Sequence, residues 1–309
     1  MMKKILFVDE THPILKESFQ ELGYGCDFKP EPLTDGVDLT AYSGIIVRSK
    51  KITREVLERT VKLKFIGRVG AGMENIDLEF ARQKGVQCFN APEGSRDAVG
   101  EHTVSLLLAL MNKIVSADAE VRKGVWNRNG NWGTEVKGKT IGIIGYGNMG
   151  SSFAEKISGF GAEVMAYDKY KFNYSDRFVQ ETTLEDVFER ADILSLHVPI
   201  TNETRFMVDD EFINRFKKNF VLLNTARGEV LKTIDLVKNL KSGKVIAFGL
   251  DVLEYEKHAF EKLENLPEDF NYLAQAKNVV MSPHVAGWTD ESYYKLAKVL
   301  FEKIKGILV

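Results

Sequence analysis

Thr140-Ile-Gly-Ile-Ile-Gly145-Tyr-Gly147-Asn-Met-Gly150, followed by a helical stretch and then by Glu163-Val-Met-Ala-Tyr-Asp168, decides the fold of this chain. An apolar strand runs into G-x-G-x-x-G, a helix follows, and a second apolar strand ends on an acid. A dinucleotide site needs that order. Gly145 permits the tight turn, Gly147 lets backbone N–H groups approach a pyrophosphate, and Gly150 lets the helix pack close on the strand. The helix N-terminus adds unpaired N–H donors and a partial positive charge. The residues expected to meet the cofactor here are Tyr146, Gly147, Asn148 and Met149. Asp168, 18 residues beyond Gly150, stands where a carboxylate meets the ribose hydroxyls. A carboxylate hydrogen-bonds a 2′-hydroxyl but repels a 2′-phosphate, so NAD is expected rather than NADP. Lys169 and Lys171 follow the acid and could soften that repulsion.

Outward from this unit, strand and helix signals alternate. After Asp168, apolar runs of strand length fall at 193–196, 220–223, 245–250 and 279–281; before the glycine loop they fall at 5–8, 44–47, 65–69 and 86–89. Stretches 14–22, 54–59 and 78–84 have helical spacing or composition. The alternation implies an α/β protein, two doubly wound parallel sheets with helices on their faces and ligands at the carboxyl ends of the strands. Residues 99–115 read as one long helix, with Leu106, Leu107, Leu108, Leu110 and Met111 around much of its circumference. It is expected to join the two domains and to offer a surface to a partner subunit. In the turn-rich stretch 124–133, Trp126 and Trp132 fit either packing within the monomer or an interface.

The 309 residues suit about two domains, and an apolar fraction of 44% suffices for two packed cores. A net charge of −2 gives no electrostatic reason to expect nucleic-acid or membrane binding. Cys26 and Cys88 stand alone, with no metal-ligand spacing, and read as reduced thiols of a cytoplasmic protein. The first apolar run ends after four residues at Asp9 and Glu10, too short for a signal segment. The apolar stretch 104–111 is bounded by Glu101, His102 and Asn112, far below membrane-spanning length.

The informative chemistry follows the later strands. Asn224-Thr-Ala-Arg227-Gly228 follows the strand at 220–223, Asp251-Val-Leu-Glu-Tyr-Glu256 the one at 245–250, and Ser282-Pro-His284-Val-Ala-Gly287 the one at 279–281. Exchange of a hydride at an alcohol carbon needs a proton donor or acceptor at its oxygen, and histidine titrates near neutral pH. A neighbouring carboxylate fixes the tautomer, and an arginine offers a bidentate fork to a substrate carboxylate. Blander readings exist: Arg227 paired with Glu229 on a turn, Glu256 solvating a helix start, His284 buried in a core. All three at successive strand ends beside a cofactor loop favour the catalytic reading. His197 sits after a strand with Pro199 and reads as lining the cofactor crevice; His12, His102 and His258 read as structural or exposed. In the N-terminal half, Arg48-Ser49-Lys50-Lys51 ends a strand with cations, and Arg68-Val-Gly70-Ala71-Gly72 ends another with amides suited to a carboxylate. Asn90 borders the same expected substrate cavity.

Together these blocks, Gly142-Ile-Ile-Gly145-Tyr-Gly147-Asn-Met-Gly150, His197-Val-Pro199 with Thr204, Asn224-Thr-Ala-Arg227-Gly228, Asp251 with Glu256, and Pro283-His284-Val-Ala-Gly287, resemble the D-isomer-specific 2-hydroxyacid dehydrogenases, in the family's order and almost from end to end. The resemblance implies Arg227 as substrate anchor, Glu256 as the histidine's partner and His284 as acid/base. It adds Val198, Pro199, Thr204, Thr225, Ala226, Asp251, Ala286 and Gly287 to the cofactor-binding set of Tyr146, Gly147, Asn148, Met149, Asp168 and His197. Arg48, Ser49, Gly70, Ala71, Gly72 and Asn90 are implied to bind substrate. Residues 1–97 and 288–309 would form a flavodoxin-like substrate domain, with a Rossmann NAD-binding domain, 98–287, inserted and used for homodimerisation. A proline commonly follows the family's catalytic acid, whereas Lys257 stands here ahead of a helix-prone stretch, 258–276.

Within that family the segments around Arg48, Gly70 and Trp126 most resemble the D-3-phosphoglycerate dehydrogenases, which oxidise 3-phosphoglycerate to 3-phosphohydroxypyruvate at the start of serine synthesis. Many of those carry C-terminal regulatory domains, which a sequence ending at Val309 is expected to lack. Arg48 with Lys50 or Lys51 could hold the phosphate; the alternatives are a glyoxylate/hydroxypyruvate reductase or another small D-2-hydroxyacid dehydrogenase. An NAD-sensing scaffold like the C-terminal-binding corepressors is the rival from outside catalysis.

Overall fold

The computed structural model describes residues 3–31, 33, 37–256 and 266–308. The chain divides into two compact units, Met1–Arg96 with Trp288–Val309, and Asp97–Gly287. In the first, strands β1 (Lys4–Phe7), β2 (Gly25–Phe28), β3 (Tyr42–Val47), β4 (Phe65–Arg68) and β5 (Gln87–Asn90) alternate with helices α1 (Pro13–Glu21), α2 (Arg54–Glu58) and α3 (Leu78–Gln83). Helix α4 (Pro92–Met111) contains the division between the units and is followed by α5 (Ile114–Val121). The second unit continues with strands β6 (Thr140–Ile144), β7 (Glu163–Tyr167), β8 (Gln180–Glu181), β9 (Ile193–Leu196), β10 (Phe220–Asn224), β11 (Val245–Leu250) and β12 (Val279–Met281). Its helices are α6 (Asn148–Ile157), α7 (Leu184–Arg190), α8 (Asp210–Asn214), α9 (Thr233–Ser242) and α10 (Glu268–Gln275), and α11 (Asp290–Leu308) returns the chain to the first unit.

Both sheets are wholly parallel among the described residues, with orders β2-β1-β3-β4-β5 and β12-β11-β10-β9-β6-β7-β8. A parallel strand is covered on both faces, so its residues serve two cores alternately. In the second unit Ile141, Ile143, Ile193, Val221 and Leu223 pack with Phe153 of α6 and Leu106, Leu107 and Leu110 of α4. Ile144, Leu194, Leu196 and Leu222 join Val187, Phe212 and Leu236 on the other face. In the first unit Leu296, Leu300 and Ile304, spaced to share one face of α11, pack on Ile5, Phe19 and Phe65. The order of the second sheet reverses between β6 and β9, and the glycine loop leaves β6 at that switch point, where ligands of doubly wound sheets collect.

Three elements differ from the expectation. Strands β2 and β8 were not foreseen, because each lies at a sheet edge and neither Gly-Cys-Asp-Phe nor Gln-Glu forms an apolar run. The helix expected over 99–115 is two helices. Lys113 adopts φ 52°, and the Met111 carbonyl accepts the Thr134 amide at 2.8 Å instead of continuing the helical ladder. Trp126 and Trp132 are 79% and 77% exposed, which removes packing within the monomer as their role. Lys257 and His258 lie outside the described residues; the described end of the helix-prone stretch forms α10. Cys26 and Cys88 are half-buried and unbridged, and burial pushes each thiol up to about 11, so neither is a thiolate at neutral pH. Among the described residues no helix is long and apolar enough to cross a membrane.

Candidate active site

The turn after β6 is built by exclusion of side chains. A Cβ at Gly145, where φ is 93°, would stand 2.5 Å from the His197 carbonyl oxygen, and one at Gly150 would stand 2.1 Å from that of Gly145. Helix α6 can therefore start directly beneath the strand end. Gly147 is its N-cap, no side chain caps it, and a Cβ there would meet nothing within 4 Å. Open space in front of uncapped first-turn amides fits a dinucleotide pyrophosphate held by Gly147, Asn148 and Met149.

Asp168 follows β7 and is ordered by backbone donors. Its Oδ2 accepts the Tyr146 amide at 2.8 Å, and Oδ1 accepts the amides of Tyr170 at 2.9 Å and Lys171 at 3.1 Å. Tyr146 thus serves this site by orienting Asp168, not through a free amide. Its ring is buried, stacked on Tyr174 with centroids 4.9 Å apart, and its hydroxyl donates to Asp176.

On the other side of the switch point, Thr204 ties the loop after β9, accepting the Thr201 amide and donating to the Pro199 carbonyl at 2.6 Å. The buried Thr225 hydroxyl meets that of Thr103 on α4 at 3.0 Å, so this side chain fixes the loop on the helix. His197 is buried, its Nε2 is 2.9 Å from the Ser195 hydroxyl, and its Nδ1 has no partner among the described residues. Burial pushes this imidazole down from 6.5 to about 3, so it is neutral in the folded protein and unsuited to proton transfer at neutral pH. The unfolded chain binds the extra proton between those two values. Its contribution to stability is therefore complete above pH 6.5 and is lost as pH falls toward 3. Between pH 7.5 and 5.5 this one residue should remove about 1.4 kcal/mol. Urea midpoints of His197→Gln should show that much less pH dependence than wild type; equal dependence in both would refute the assignment.

Strands β10, β11 and β12 are neighbours, so their carboxyl ends lie along one edge, and they present Arg227, Glu256 and His284 in turn. The buried Asn224 clamps the first turn: its Oδ1 accepts the Ala226 amide at 3.1 Å and its Nδ2 donates to the Arg227 carbonyl at 3.0 Å. Arg227 gives one guanidinium N–H to the Ala226 carbonyl, while Glu229 pairs with Arg205. His284 Nδ1 lies 2.6 Å from Glu256 Oε1. A carboxylate can only accept, which puts the proton on Nδ1 and leaves Nε2 able to accept a proton. His284 is 45% exposed at its side chain, so the imidazole is reachable from solvent and is not a core residue.

The His284 backbone sits at φ 55°, a left-handed conformation that costs a non-glycine residue about 1–2 kcal/mol. Asp251 holds it there. Its carbonyl accepts the His284 amide at 2.7 Å, and its carboxylate, 1% exposed, takes the amides of Val285 and Ala286 and the Ser282 hydroxyl at 2.6 Å. The Ser282 proton being given to Asp251, the hydroxyl accepts at its 2.8 Å contact with His102 Nε2, which makes that nitrogen a donor. His102, read from sequence as structural or exposed, belongs to the network under the histidine loop. Its placement 180 residues before Ser282 left no local signal.

In the first unit, Asp9 organises the end of β3: its carboxylate accepts the amides of Arg48, Ser49 and Lys50 and the Ser49 hydroxyl. The Lys50 ammonium donates to the carbonyls of Pro30 and Glu31, which leaves one of its three N–H groups for another acceptor. The Arg48 guanidinium stacks 4.2 Å from the Trp288 ring. The Gly70 amide bonds the Arg68 carbonyl at 2.9 Å, so of the expected nest only the Ala71 and Gly72 amides remain for an anion. Asn90 donates to the Ala71 carbonyl and steadies that turn.

Residues 104–286 match the family model described as D-isomer specific 2-hydroxyacid dehydrogenase, NAD binding domain. The chain is 35% identical to D-3-phosphoglycerate dehydrogenase of Methanocaldococcus jannaschii over 99% of its own length, and spans 58% of that protein. It is 36% identical to hydroxypyruvate reductase of Thermotoga maritima, over 84% of this chain and 83% of the relative. A solved D-lactate dehydrogenase from Aquifex aeolicus, complexed with NAD and lactic acid, superposes with a TM-score of 0.85 at 28% identity, covering 99% of this chain and 95% of that one.

Proposed function

Because the chain belongs to the D-isomer-specific 2-hydroxyacid dehydrogenases, we propose that it interconverts a D-2-hydroxy acid and its 2-oxo acid with NAD. The observation that carries this reading is the His284–Glu256 pair at the edge formed by β10, β11 and β12. His284 Nε2 takes the substrate hydroxyl proton in oxidation and returns it in reduction, while Glu256 stabilises the imidazolium through Nδ1. Arg227 anchors the substrate carboxylate. Gly147, Asn148 and Met149 hold the pyrophosphate, Asp168 holds the adenine ribose, and His197 to Pro199, Thr204, Thr225, Ala226 and Gly287 line the crevice. Asp251 and Ala286 act by fixing the histidine loop. Bound NAD supplies the hydride acceptor, C4 of its nicotinamide.

For the substrate, we propose D-3-phosphoglycerate, with Arg48 on its phosphate and Ala71 and Gly72 on its carboxylate, in serine biosynthesis. Support comes from the similarity to a phosphoglycerate dehydrogenase over nearly the whole chain and from a guanidinium pre-oriented by Trp288. A second reading, a hydroxypyruvate or glyoxylate reductase, is supported by the similarity to relatives of those names and by the Pro30 and Glu31 carbonyls, which take two of the three Lys50 N–H groups and leave Lys51 as the other candidate beside Arg48. NADH formation with 3-phosphoglycerate, D-glycerate, glycolate and D-lactate decides between them. The first reading expects kcat/KM at least about tenfold higher for 3-phosphoglycerate. A preference for D-glycerate or glycolate selects the second, and no turnover with any of the four leaves the NAD-sensing scaffold.

The second unit exposes Ile114, Val115, Val121, Val125, Trp126 and Trp132 within 19 consecutive residues. Helix α5 has no buried residue. Apolar surface of that extent is characteristic of an interface, and we propose a homodimer through this unit. Light scattering should give twice the 34.9 kDa chain mass; a monomer at micromolar concentration would end the proposal.

A further inference from the structure

Asp168 disfavours a 2′-phosphate by charge, yet Lys169 and Lys171 stand within three residues of it and could offset that charge. Both ammonium groups have partners elsewhere. Lys171 Nζ donates to the Tyr146 carbonyl at 2.8 Å. Lys169 Nζ lies 2.8 Å from Glu203 Oε2, and the same carboxylate oxygen accepts the Tyr170 hydroxyl at 2.6 Å. Glu203 comes from the loop after β9, so the contact joins that loop to the one after β7 within a single unit. The Thr204 tie to Pro199 and Thr201 fixes the carboxylate's side of the pair. The ammonium also lies 5.6 Å from the Tyr170 ring, which limits where it can swing. The hydrogen bond to Lys169 holds the Glu203 carboxyl below its usual range, and the reciprocal bond raises Lys169, so both remain charged and paired at neutral pH.

We propose that Glu203 is a second determinant of NAD over NADP: it neutralises Lys169 and keeps it turned away from the 2′ position that Asp168 guards. Asp168 supplies the repulsion, and Glu203 withholds a cation, next to it in the chain, that could relieve it. The inference rests on the cofactor-binding reading of this crevice, and its test separates the two. Calorimetric titration with ADP-ribose and with 2′-phospho-ADP-ribose reads binding without turnover. In an Asp168→Ser background, Glu203→Gln is expected to tighten the 2′-phosphorylated ligand about fivefold, the scale of one exposed charged contact, and to leave ADP-ribose unchanged. Adding Lys169→Met should abolish the gain, and raising the salt should shrink it. Equal changes for both ligands would mean that Glu203 merely shapes the loop. A gain that survives Lys169→Met, or no gain at all, would likewise overturn the proposal. Failure of ADP-ribose to bind the wild-type protein would instead overturn the cofactor reading itself.

Discussion

His284→Ala is expected to lower kcat by about two to four orders of magnitude while NAD affinity stays within about twofold. Nδ1 of the imidazole is held by Glu256 at 2.6 Å, and its Nε2 has no hydrogen-bond partner among the described residues. Removing it leaves Arg227 to bind the substrate carboxylate but gives the hydroxyl proton nowhere to go at neutral pH. The loss should therefore fall on kcat rather than KM. The left-handed backbone at this position complicates a simple truncation, since alanine tolerates φ 55° poorly. Asparagine enters that region more readily and cannot act as a base, so His284→Asn should fall as far as His284→Ala with the loop undisturbed. Turnover near wild type in either variant would remove the histidine from the mechanism. A matching loss of NAD affinity in both would reassign it to cofactor binding.

Gly150→Val should do comparable damage through packing alone. Its Cβ would stand 2.1 Å from the Gly145 carbonyl oxygen, a backbone atom that cannot step aside. Helix α6 would have to lift from β6, carrying Phe153, Ala154 and Ile157 out of their core. Overpacking of this kind costs about 3 kcal/mol or more, which for a unit of this size is a fall of roughly 6–12 °C in Tm. The first-turn amides would leave the turn with the helix, so the rise in Tm that NAD is expected to give the wild-type protein should vanish. Gly159→Ala is the matched control, because a Cβ there meets nothing within 4 Å. A Tm and an NAD-induced shift unchanged in Gly150→Val would show that the helix is not seated on the strand as described.

Much of the fold was legible in the chain because interior parallel strands carry their signal locally. Both faces of β3 and β10 are buried, and each reads as an unbroken run of compatible side chains. Edge strands β2 and β8 carry no such signal, since partners on one side only allow Gly, Asp, Gln and Glu. The break between α4 and α5 was equally hidden: a bond from Thr134, more than twenty residues downstream, takes the Met111 carbonyl. Side-chain availability was less legible than residue type. Lys50 and Ser49 read as substrate contacts, yet the Pro30 and Glu31 carbonyls take two of the three Lys50 N–H groups and Asp9 takes the Ser49 hydroxyl proton.

By itself, the sequence determined which groups exist for the chemistry and on which strand ends they stand. Glycine spacing, apolar runs and terminal acids are local properties, and they fix the strand–turn–helix order that defines a dinucleotide site. Only the tertiary structure decided which of those groups remain available. Hydrogen bonding is saturable, and its partners come from distant segments: Asp251 with Ser282 and His102, Glu203 with Lys169, Asp9 with the end of β3. A donor given to one partner is withheld from another, and no local pattern records that choice.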